Sequence, residues 1–276
     1  MNNQMRNGVK SVVIQLSLLI FSLFVLIPLW MLLVNSFKTP GEASALGLGL
    51  PTTWQFVNYV NVFIEGKLLR GFFNSALITL SSVILVLSTG AIASYTLSRR
   101  KTRITVAVYA IFLLGLIAPP QIVPTVKVLQ VLGIYGSYPG IILFYSGIFL
   151  PFVILLMTGF IKSVPRELDE SALVDGCTPL GIFFRIVTPL LKPIFATTFV
   201  LVFMFVWNDF NYPLYLLKNS KTWTMPMSVF NFTSAYGNLW NYVFADLIMA
   251  SLPIILVYIF AQRFLIKGLT AGAVKG

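Results

Sequence analysis

Residues 162–193 read KSVPRELDESALVDGCTPLGIFFRIVTPLLKP, and this polar stretch lies between long apolar runs that carry almost no charge. Charge is costly inside a bilayer, so a compact charged segment between runs of hydrocarbon length must lie in water at a membrane face. We therefore predict that this stretch is the surface of a membrane protein to which a soluble partner binds. It contains four of the eight acidic residues of the chain: Glu167, Asp169, Glu170 and Asp175.

The composition of the whole chain also indicates a membrane protein. Of 276 residues, 58% are hydrophobic and 10% are charged, with a mean hydropathy of +0.90, whereas soluble domains carry about 25% charged residues. The net charge of +11 is spread in short clusters between apolar runs, which favours a membrane protein over a nucleic-acid-binding protein. With one cysteine and no histidine, the sequence excludes an internal disulfide and a Cys/His zinc site.

Six apolar runs are long enough to cross the hydrocarbon core, which takes about 20 helical residues. We predict an all-α integral membrane protein with one transmembrane domain over residues 1–276 and a tail over 265–276. The third run ends in LIAPPQIVP, whose three prolines must break or kink the helix. This break is either a simple end of the span or the wall of a transport cavity. The predicted spans are about 11–36, 72–98, 104–122, 140–160, 194–217 and 241–264.

Charge decides the orientation of the six spans, which place both termini on one side of the membrane. With the N-terminus inside, 13 of the 19 Lys and Arg residues lie on the cytoplasmic side and the other six lie outside. Positive residues accumulate on the cytoplasmic side of membrane proteins. We therefore predict an N-in, C-in protein whose polar loop, 163–193 between spans four and five, is cytoplasmic.

Local signals divide the polar loop into two short helices. Ser163 can cap the first helix, and Gly176 is well placed to end it. Thr178 can cap the second helix, with Pro179 at its first position. The next membrane helix is expected to begin near Pro193. The loop is thus predicted to be a helix-turn-helix bent about Gly176 and lying parallel or oblique to the membrane.

The same loop resembles the EAA loop of ATP-binding-cassette importer permeases. That family pattern is E-A-A, three residues, G, nine residues and I-x-L-P, and every spacing is kept here. Ser171 and Thr188 replace the usual Ala and Leu of the pattern. An FxNS sequence at residues 72–75, WND at 207–209 and a terminal GLTAGAVKG extend the resemblance over essentially the whole chain. Together they look like the smaller permease of maltose-type sugar importers. The pattern positions are Glu170, Ser171, Ala172, Gly176, Ile186 and Pro189.

The resemblance implies that this chain is a transport subunit with no catalytic residues and no cofactor of its own. In that family the loop is a coupling helix seated in a cleft of an ATPase subunit, which binds ATP and Mg. The implied coupling residues are Glu167, Glu170, Ser171, Ala172, Asp175, Gly176, Ile186 and Pro189. The tail is implied to contact the ATPase subunits through Gly268, Gly272, Lys275 and Gly276.

The implied partners are a second homologous permease, an ATPase homodimer, an extracytoplasmic sugar-binding protein and the lipid bilayer, with no nucleic acid. The implied location is the cytoplasmic, or inner, membrane of a prokaryote. Loop 218–240 is predicted to be external, and it is either a contact for the binding protein or a plain surface loop.

Polar residues within the spans are the candidates for the translocation path. Asp209 and Asp246 are the two acidic residues inside predicted spans, and each has a structural alternative as a helix cap or interhelical hydrogen-bonding group. Two other classes of protein stay open: an ion-coupled secondary transporter, which needs acidic groups in the membrane, and an intramembrane enzyme, for which no catalytic cluster is evident. The candidate path residues are Asn74, Asn208, Asp209 and Tyr212.

Overall fold

The chain folds almost entirely into α-helices in a computed structural model. The structure describes the backbone of residues 2–234 and 237–273 and the side chains of residues 13–233 and 237–262. A short antiparallel pair consists of β1 (Thr233–Ser234) and β2 (Gly237–Asn238). The helices within these ranges are α1 (Asn2–Ser36), α2 (Pro40–Ser44), α3 (Val57–Glu65), α4 (Leu68–Arg99), α5 (Arg103–Ile117), α6 (Ile122–Val131), α7 (Tyr138–Ser163), α8 (Glu167–Val174), α9 (Pro179–Ile182), a π turn (Phe183–Val187), α10 (Thr188–Leu190), α11 (Lys192–Asn208), α12 (Asn211–Leu216), 3₁₀ turns (Ser220–Thr222 and Met225–Asn231) and α13 (Trp240–Ala273).

Several of the described helices are long and apolar enough to cross a membrane. A further crossing results if the helical run Pro179–Leu190 and α11 count as one span, bent by 73°. The remaining apolar helices, α5 and α6, have 15 and 10 residues. The all-α membrane architecture is therefore confirmed, while the count of six spans and the N-in, C-in orientation remain predictions. The four single helices are Val13–Ser36, Leu68–Arg99, Tyr138–Ser163 and Trp240–Gln262.

Two of the predicted spans are interrupted, the third where its prolines predict a break and the fifth where the sequence analysis predicts a continuous helix. Over the third span, 104–122, α5 ends at Ile117 and the chain stays non-helical to Gln121, because adjacent prolines cannot donate to the preceding turn. Over the fifth span, 194–217, α11 ends at Asn208 and α12 begins at Asn211. Pro213 has no N–H to donate to the carbonyl of Asp209, so the helix breaks four residues before it.

The last helix is longer than predicted. We predict that the sixth span ends near residue 264 and that a tail follows, but α13 continues without a break to Ala273. The backbone at Gly268 and Gly272 is thus helical, and Pro253 lies inside the same helix. Lys275 and Gly276, predicted to contact an ATPase, lie outside the described residues.

The chain divides into two compact units, Met1–Leu69 with Ser228–Ser251 and Arg70–Met227 with Leu252–Gly276. In the first unit, buried polar groups fold the segment after α1. Nζ of Lys38 donates to Oδ1 of Asn35 at 3.0 Å and to the carbonyl of Gly47 at 2.8 Å. The apolar part of α1 itself is only 6% buried. Its surface is therefore available to lipid or to another subunit.

In the second unit, α7 is the central helix and packs against α5 and α11. It also lies close to α4, where Oγ of Ser94 donates to the carbonyl of Ile154 at 3.4 Å. A Cβ added to Gly90 would lie 2.6 Å from Cγ1 of Val153. Small residues let membrane helices approach closely in this way. The α4–α7 contact therefore depends on the missing side chain at Gly90.

Replacing Gly90 by Ala should destabilise the protein by about 1–3 kcal/mol, because the added methyl overpacks this contact. The measurement is thermal unfolding of the purified protein in detergent. The control is Gly159→Ala on α7, where a Cβ meets nothing within 4 Å. Val153→Ala should restore stability to the Gly90→Ala protein. Equal melting temperatures for the Gly90 and Gly159 variants would contradict the close contact.

Candidate functional site

The polar loop begins with a helix that has no side-chain cap. α8 begins at Glu167, and the preceding Arg166 makes no capping hydrogen bond. The predicted cap at Ser163 is wrong, because the apolar helix α7 extends through this residue and its Oγ donates to the carbonyl of Phe160 at 2.7 Å. The acidic residues of the first turn still suit the positive end of the helix.

The turn between the two loop helices has the predicted geometry. Gly176 has φ +80°, which an L side chain rarely adopts. The Cys177 N–H donates to the carbonyl of Ala172 at 2.9 Å, and the Gly176 N–H donates to that of Leu173 at 3.1 Å. This pair of bonds is a Schellman motif, which ends a helix. Thr178 then caps the next helix, since its Oγ1 accepts from the Gly181 N–H at 3.2 Å. The predictions for Gly176 and Thr178 are confirmed.

The second loop helix contains a π turn and leads into a sharp bend. Oγ1 of Thr188 donates to the carbonyl of Phe183 at 2.8 Å across the π turn. After Leu190 the helix axis turns by 73° into α11. Pro193 lies in the first turn of α11 and lacks the N–H that would continue the previous helix. The membrane helix thus begins at the bend, as predicted.

The loop helices have one face packed on the protein and another exposed. Val174 is 88% exposed, Leu180 is 71% exposed and Phe184 is 60% exposed, so the outer face carries apolar side chains beside its carboxylates. Exposed apolar clusters of this kind mark interaction surfaces. Among the predicted coupling residues, Ala172 is buried and Ile186 is half-buried. The exposed ones are Glu167, Glu170, Ser171, Asp175, Gly176 and Pro189.

An ion pair fixes α8 to the end of α4. Nε of Arg99 lies 2.6 Å from Oδ2 of Asp169, and both side chains are mostly buried. The Arg99 guanidinium also donates to the carbonyl of Val164 at 3.1 Å, and Arg166 donates to that of Ser98 at 3.0 Å. Sequence reasoning missed this pair, because it treated Arg99 only as part of the basic cluster that sets orientation. No signal in the sequence joins two residues 70 positions apart.

A cavity of about 480 Å³ lies among α7, α11 and α12. A neighbouring cavity of about 430 Å³ shares Phe149 and Phe205 with it and is lined by the interrupted backbone at Pro119 and Pro120. Irregular backbone at membrane depth is tolerated only against protein or a water-filled space. The proline break is both the end of α5 and part of a cavity wall, and a role of that cavity in transport stays a prediction. The larger cavity is lined by Tyr145, Ile148, Phe149, Leu201, Met204, Phe205, Asn208, Asp209 and Tyr212.

Asp209 is the polar centre of this cavity. Its Oδ2 accepts from the Tyr145 hydroxyl at 2.7 Å. Its Oδ1 accepts from the backbone N–H of Asn211 at 2.9 Å and of Tyr212 at 3.4 Å, so the carboxylate also caps α12. The structural alternative of helix capping is therefore realised, and the same group still lines the cavity. Three predicted path residues, Asn208, Asp209 and Tyr212, come together here.

The other two polar candidates lie elsewhere. Asn74 is buried and does not line the cavity, because its amide nitrogen donates to the carbonyls of Lys221 and Trp223 and its oxygen accepts from Tyr138. Asp246 belongs to the first unit, where it is fully buried and Oγ of Ser228 donates to its Oδ1 at 2.7 Å. Within the described side chains, no group of three or more metal-ligating residues forms a metal site.

Long apolar helices, an exposed helical loop and a cavity beside broken helices together define a membrane transport subunit. The chain belongs to the family described as the binding-protein-dependent transport system inner membrane component, whose sequence profile matches residues 87–270.

Individual relatives are permeases. The melibiose/raffinose/stachyose import permease protein MelC of Bacillus subtilis (strain 168) is 34% identical over 253 residues, which is 91% of each chain. The arabinooligosaccharides transport system permease protein AraQ of the same organism is 32% identical over 275 residues, covering 98% of this chain and 97% of AraQ. The predicted resemblance to permeases of carbohydrate importers is confirmed.

The fold also matches solved structures. A chain from a bacterial ABC transporter involved in the import of the acidic polysaccharide alginate superposes with a TM-score of 0.83. The match covers 94% of this chain and 97% of that chain at 22% identity. A second alginate transporter chain, in complex with an alginate pentasaccharide-bound periplasmic protein, gives a TM-score of 0.71 at 16% identity, over 94% of each chain. At these identities the likeness establishes the fold alone.

Replacing Asp169 by Asn should destabilise the protein by about 2 kcal/mol, since a charged hydrogen bond is lost and Arg99 keeps a mostly buried charge. Thermal unfolding in detergent measures the loss. Exchanging the pair, Arg99→Asp with Asp169→Arg, should recover part of it. The exposed neighbour variant Arg100→Gln is the control and should melt like the parent. A melting temperature unchanged by Asp169→Asn would show that the ion pair does not stabilise the protein.

Replacing Tyr145 by Phe removes the hydroxyl that donates to Asp209 and should cost about 1–3 kcal/mol of stability. The matched control is Tyr135→Phe, which removes a hydroxyl that donates to the carbonyl of Tyr215 at 3.1 Å on the exposed surface. Thermal unfolding of both variants gives the comparison. If the two changes lower the melting temperature equally, the Tyr145–Asp209 hydrogen bond contributes no more stability than the exposed hydrogen bond of Tyr135.

Proposed function

We propose that this chain is the transmembrane permease subunit of a binding-protein-dependent ABC importer whose cargo is a sugar or an oligosaccharide. The observation that carries the proposal is the loop between α7 and α11, with its exposed carboxylates and apolar side chains and its bend at Gly176. The relatives MelC and AraQ, a melibiose/raffinose/stachyose import permease and an arabinooligosaccharides transport system permease, support the choice of cargo.

In this proposal the loop is cytoplasmic and docks into a cleft on an ATPase subunit. Ala172 faces the protein and anchors the loop, while Glu170 and the exposed apolar side chains face the ATPase. ATP and Mg are bound by that partner, and this chain itself catalyses nothing. The tail that includes Gly268, Gly272, Lys275 and Gly276 lies beside the ATPase subunits. Both chain termini are then inside, in the cytoplasmic membrane of a prokaryote.

The same proposal assigns the other partners. The apolar surface of α1 is available to the lipid bilayer and to a second, homologous permease. An extracytoplasmic sugar-binding protein delivers the cargo to the outer loops, including residues 218–240. A solved chain of similar fold is described in complex with such a periplasmic protein, which supports this assignment. The chain has no nucleic-acid partner in this scheme.

The mechanism follows from the connection between loop and cavity. Closure of two ATPase subunits on ATP moves the docked loop, and α4 moves with it through the Arg99–Asp169 pair. α11 begins at the bend after Leu190 and ends at Asn208, which lines the cavity. Its 17 residues span about 26 Å. A rotation of the loop is thereby carried to the cavity wall, provided that nucleotide and cargo bind one global state better than the other.

The proposal is tested by reconstituting the chain with its partner permease, ATPase and binding protein in liposomes and measuring sugar uptake. Uptake should require ATP and should be unaffected by dissipating proton and sodium gradients. Uptake driven by either gradient without the ATPase would instead identify the ion-coupled secondary transporter.

Substitutions of Gly176 test the coupling role of the loop in the same assay. Gly176→Val should reduce ATP-driven uptake by at least tenfold, because a left-handed backbone costs a β-branched residue about 1–2 kcal/mol or forces the turn to rearrange. Gly176→Asn is the matched control, since Asn tolerates this conformation, and a Cβ here meets nothing within 4 Å. Gly176→Pro should abolish uptake. Full uptake and full ATPase binding in the Val and Pro proteins would disprove the coupling role.

A further inference from the structure

The cavity at Asp209 has the composition of a small-molecule site. Its volume of about 480 Å³ lies in the range of about 300–1,000 Å³ typical of ligand pockets, which are mostly apolar with a few placed polar groups. The Phe149 and Phe205 rings lie nearly parallel, with centroids 5.7 Å apart and planes at 29°. The Tyr145 ring lies 6.3 Å from Phe149 at 24°. The lining therefore contains a stack of aromatic rings, and the last of them, Phe205, is 58% exposed.

The charge in this lining is unbalanced. Asp209 is the one charged residue among those that line the cavity, and none of them is basic. Within the described side chains, the carboxylate has no ion-pair partner. The three groups that bond to it are the Tyr145 hydroxyl and two backbone N–H groups, all of which donate. No cation lies among the groups that bond to Asp209.

We infer that this cavity binds neutral saccharide units and excludes sugar acids. The inference rests on the proposed function and adds the charge class of the cargo. A sugar ring has an apolar C–H face that packs on Phe205 or Tyr212, and its hydroxyls donate to the open lone pairs of Asp209. A uronate would place a second carboxylate beside Asp209, where no basic residue of the lining compensates it, and like charges held side by side repel each other.

The inferred preference for neutral sugars is opposite to the charge of the cargo of a transporter with the same fold. That transporter is described as importing the acidic polysaccharide alginate, and its chain has the same fold at 22% identity. Two transporters with the same fold can bind different cargoes, because the residues of the binding site determine selectivity. In this chain the site holds a carboxylate where an acidic cargo needs a cation.

The test is protection of a cavity cysteine in the complete transporter, purified with its partner subunits. Met204→Cys is made in a Cys177→Ser parent, because Cys177 is the only native cysteine. Labelling by a water-soluble maleimide is then timed with maltotriose, raffinose or trigalacturonate at equal concentration. Leu201→Cys, also in the lining, is a second reporter. Ser220→Cys, on an exposed turn away from the lining, is the control.

At least one neutral trisaccharide should slow labelling of the cavity cysteine by fivefold or more, whereas trigalacturonate should change it by less than twofold. Adding Asp209→Asn should let trigalacturonate protect to a similar extent. The Ser220→Cys rate should not respond to any sugar. Equal protection by neutral and acidic sugars with Asp209 intact, or no protection at either cavity cysteine by either neutral sugar, would overturn the inference.

These outcomes are separable from those of the proposed function. ATP-driven uptake by the parent transporter establishes the importer without reference to this cavity. If uptake is present and the cavity cysteines are unprotected, the site assignment fails alone. If uptake does not depend on ATP, the proposed function fails, whatever the labelling shows.

Discussion

The backbone must satisfy its own hydrogen bonds wherever lipid replaces water, and this constraint governs where the chain can depart from a helix. Departures occur at Pro119–Pro120 and at Asp209–Phe210 within the predicted spans, and both lie beside cavities. At the second break a side chain replaces the missing helical bonds, because Asp209 accepts from two N–H groups of α12. At both breaks, residues that interrupt a helix thus also line a cavity.

The loop between α7 and α11 is shaped by both local and long-range contacts. Three local devices determine its shape: the left-handed Gly176, the Thr178 cap and the bend after Leu190. One long-range device, the pair between Arg99 and Asp169, fixes the loop to a helix that is distant in sequence. The local devices determine the direction of the loop helices, and the ion pair attaches α8 to the end of α4.

Sequence reasoning succeeds here where the physics is local. The Gly176 turn and the Thr178 cap depend on neighbouring residues, and both are predicted correctly. Ser163 fails because the apolar run of α7 continues past a residue that could have capped α8. The role of Asn74 depends on a loop about 150 residues away, as its bonds to Lys221 and Trp223 show. Such pairings have no local pattern, and neither does the gathering of aromatic rings around Asp209.

The π turn at Phe183–Val187 and the α-helical turns of α8 differ in how they tolerate a change of length. A π turn holds one residue more than an α turn. Deleting one residue there would close the run as an α-helix and leave the side chains on both flanks in their present orientation. A deletion within α8, which has no extra residue, would instead rotate every side chain on one side of it by about 100° relative to the other. Ser171 and Thr188 depart from the usual residue types without altering any spacing, so this loop can change its composition more freely than its register.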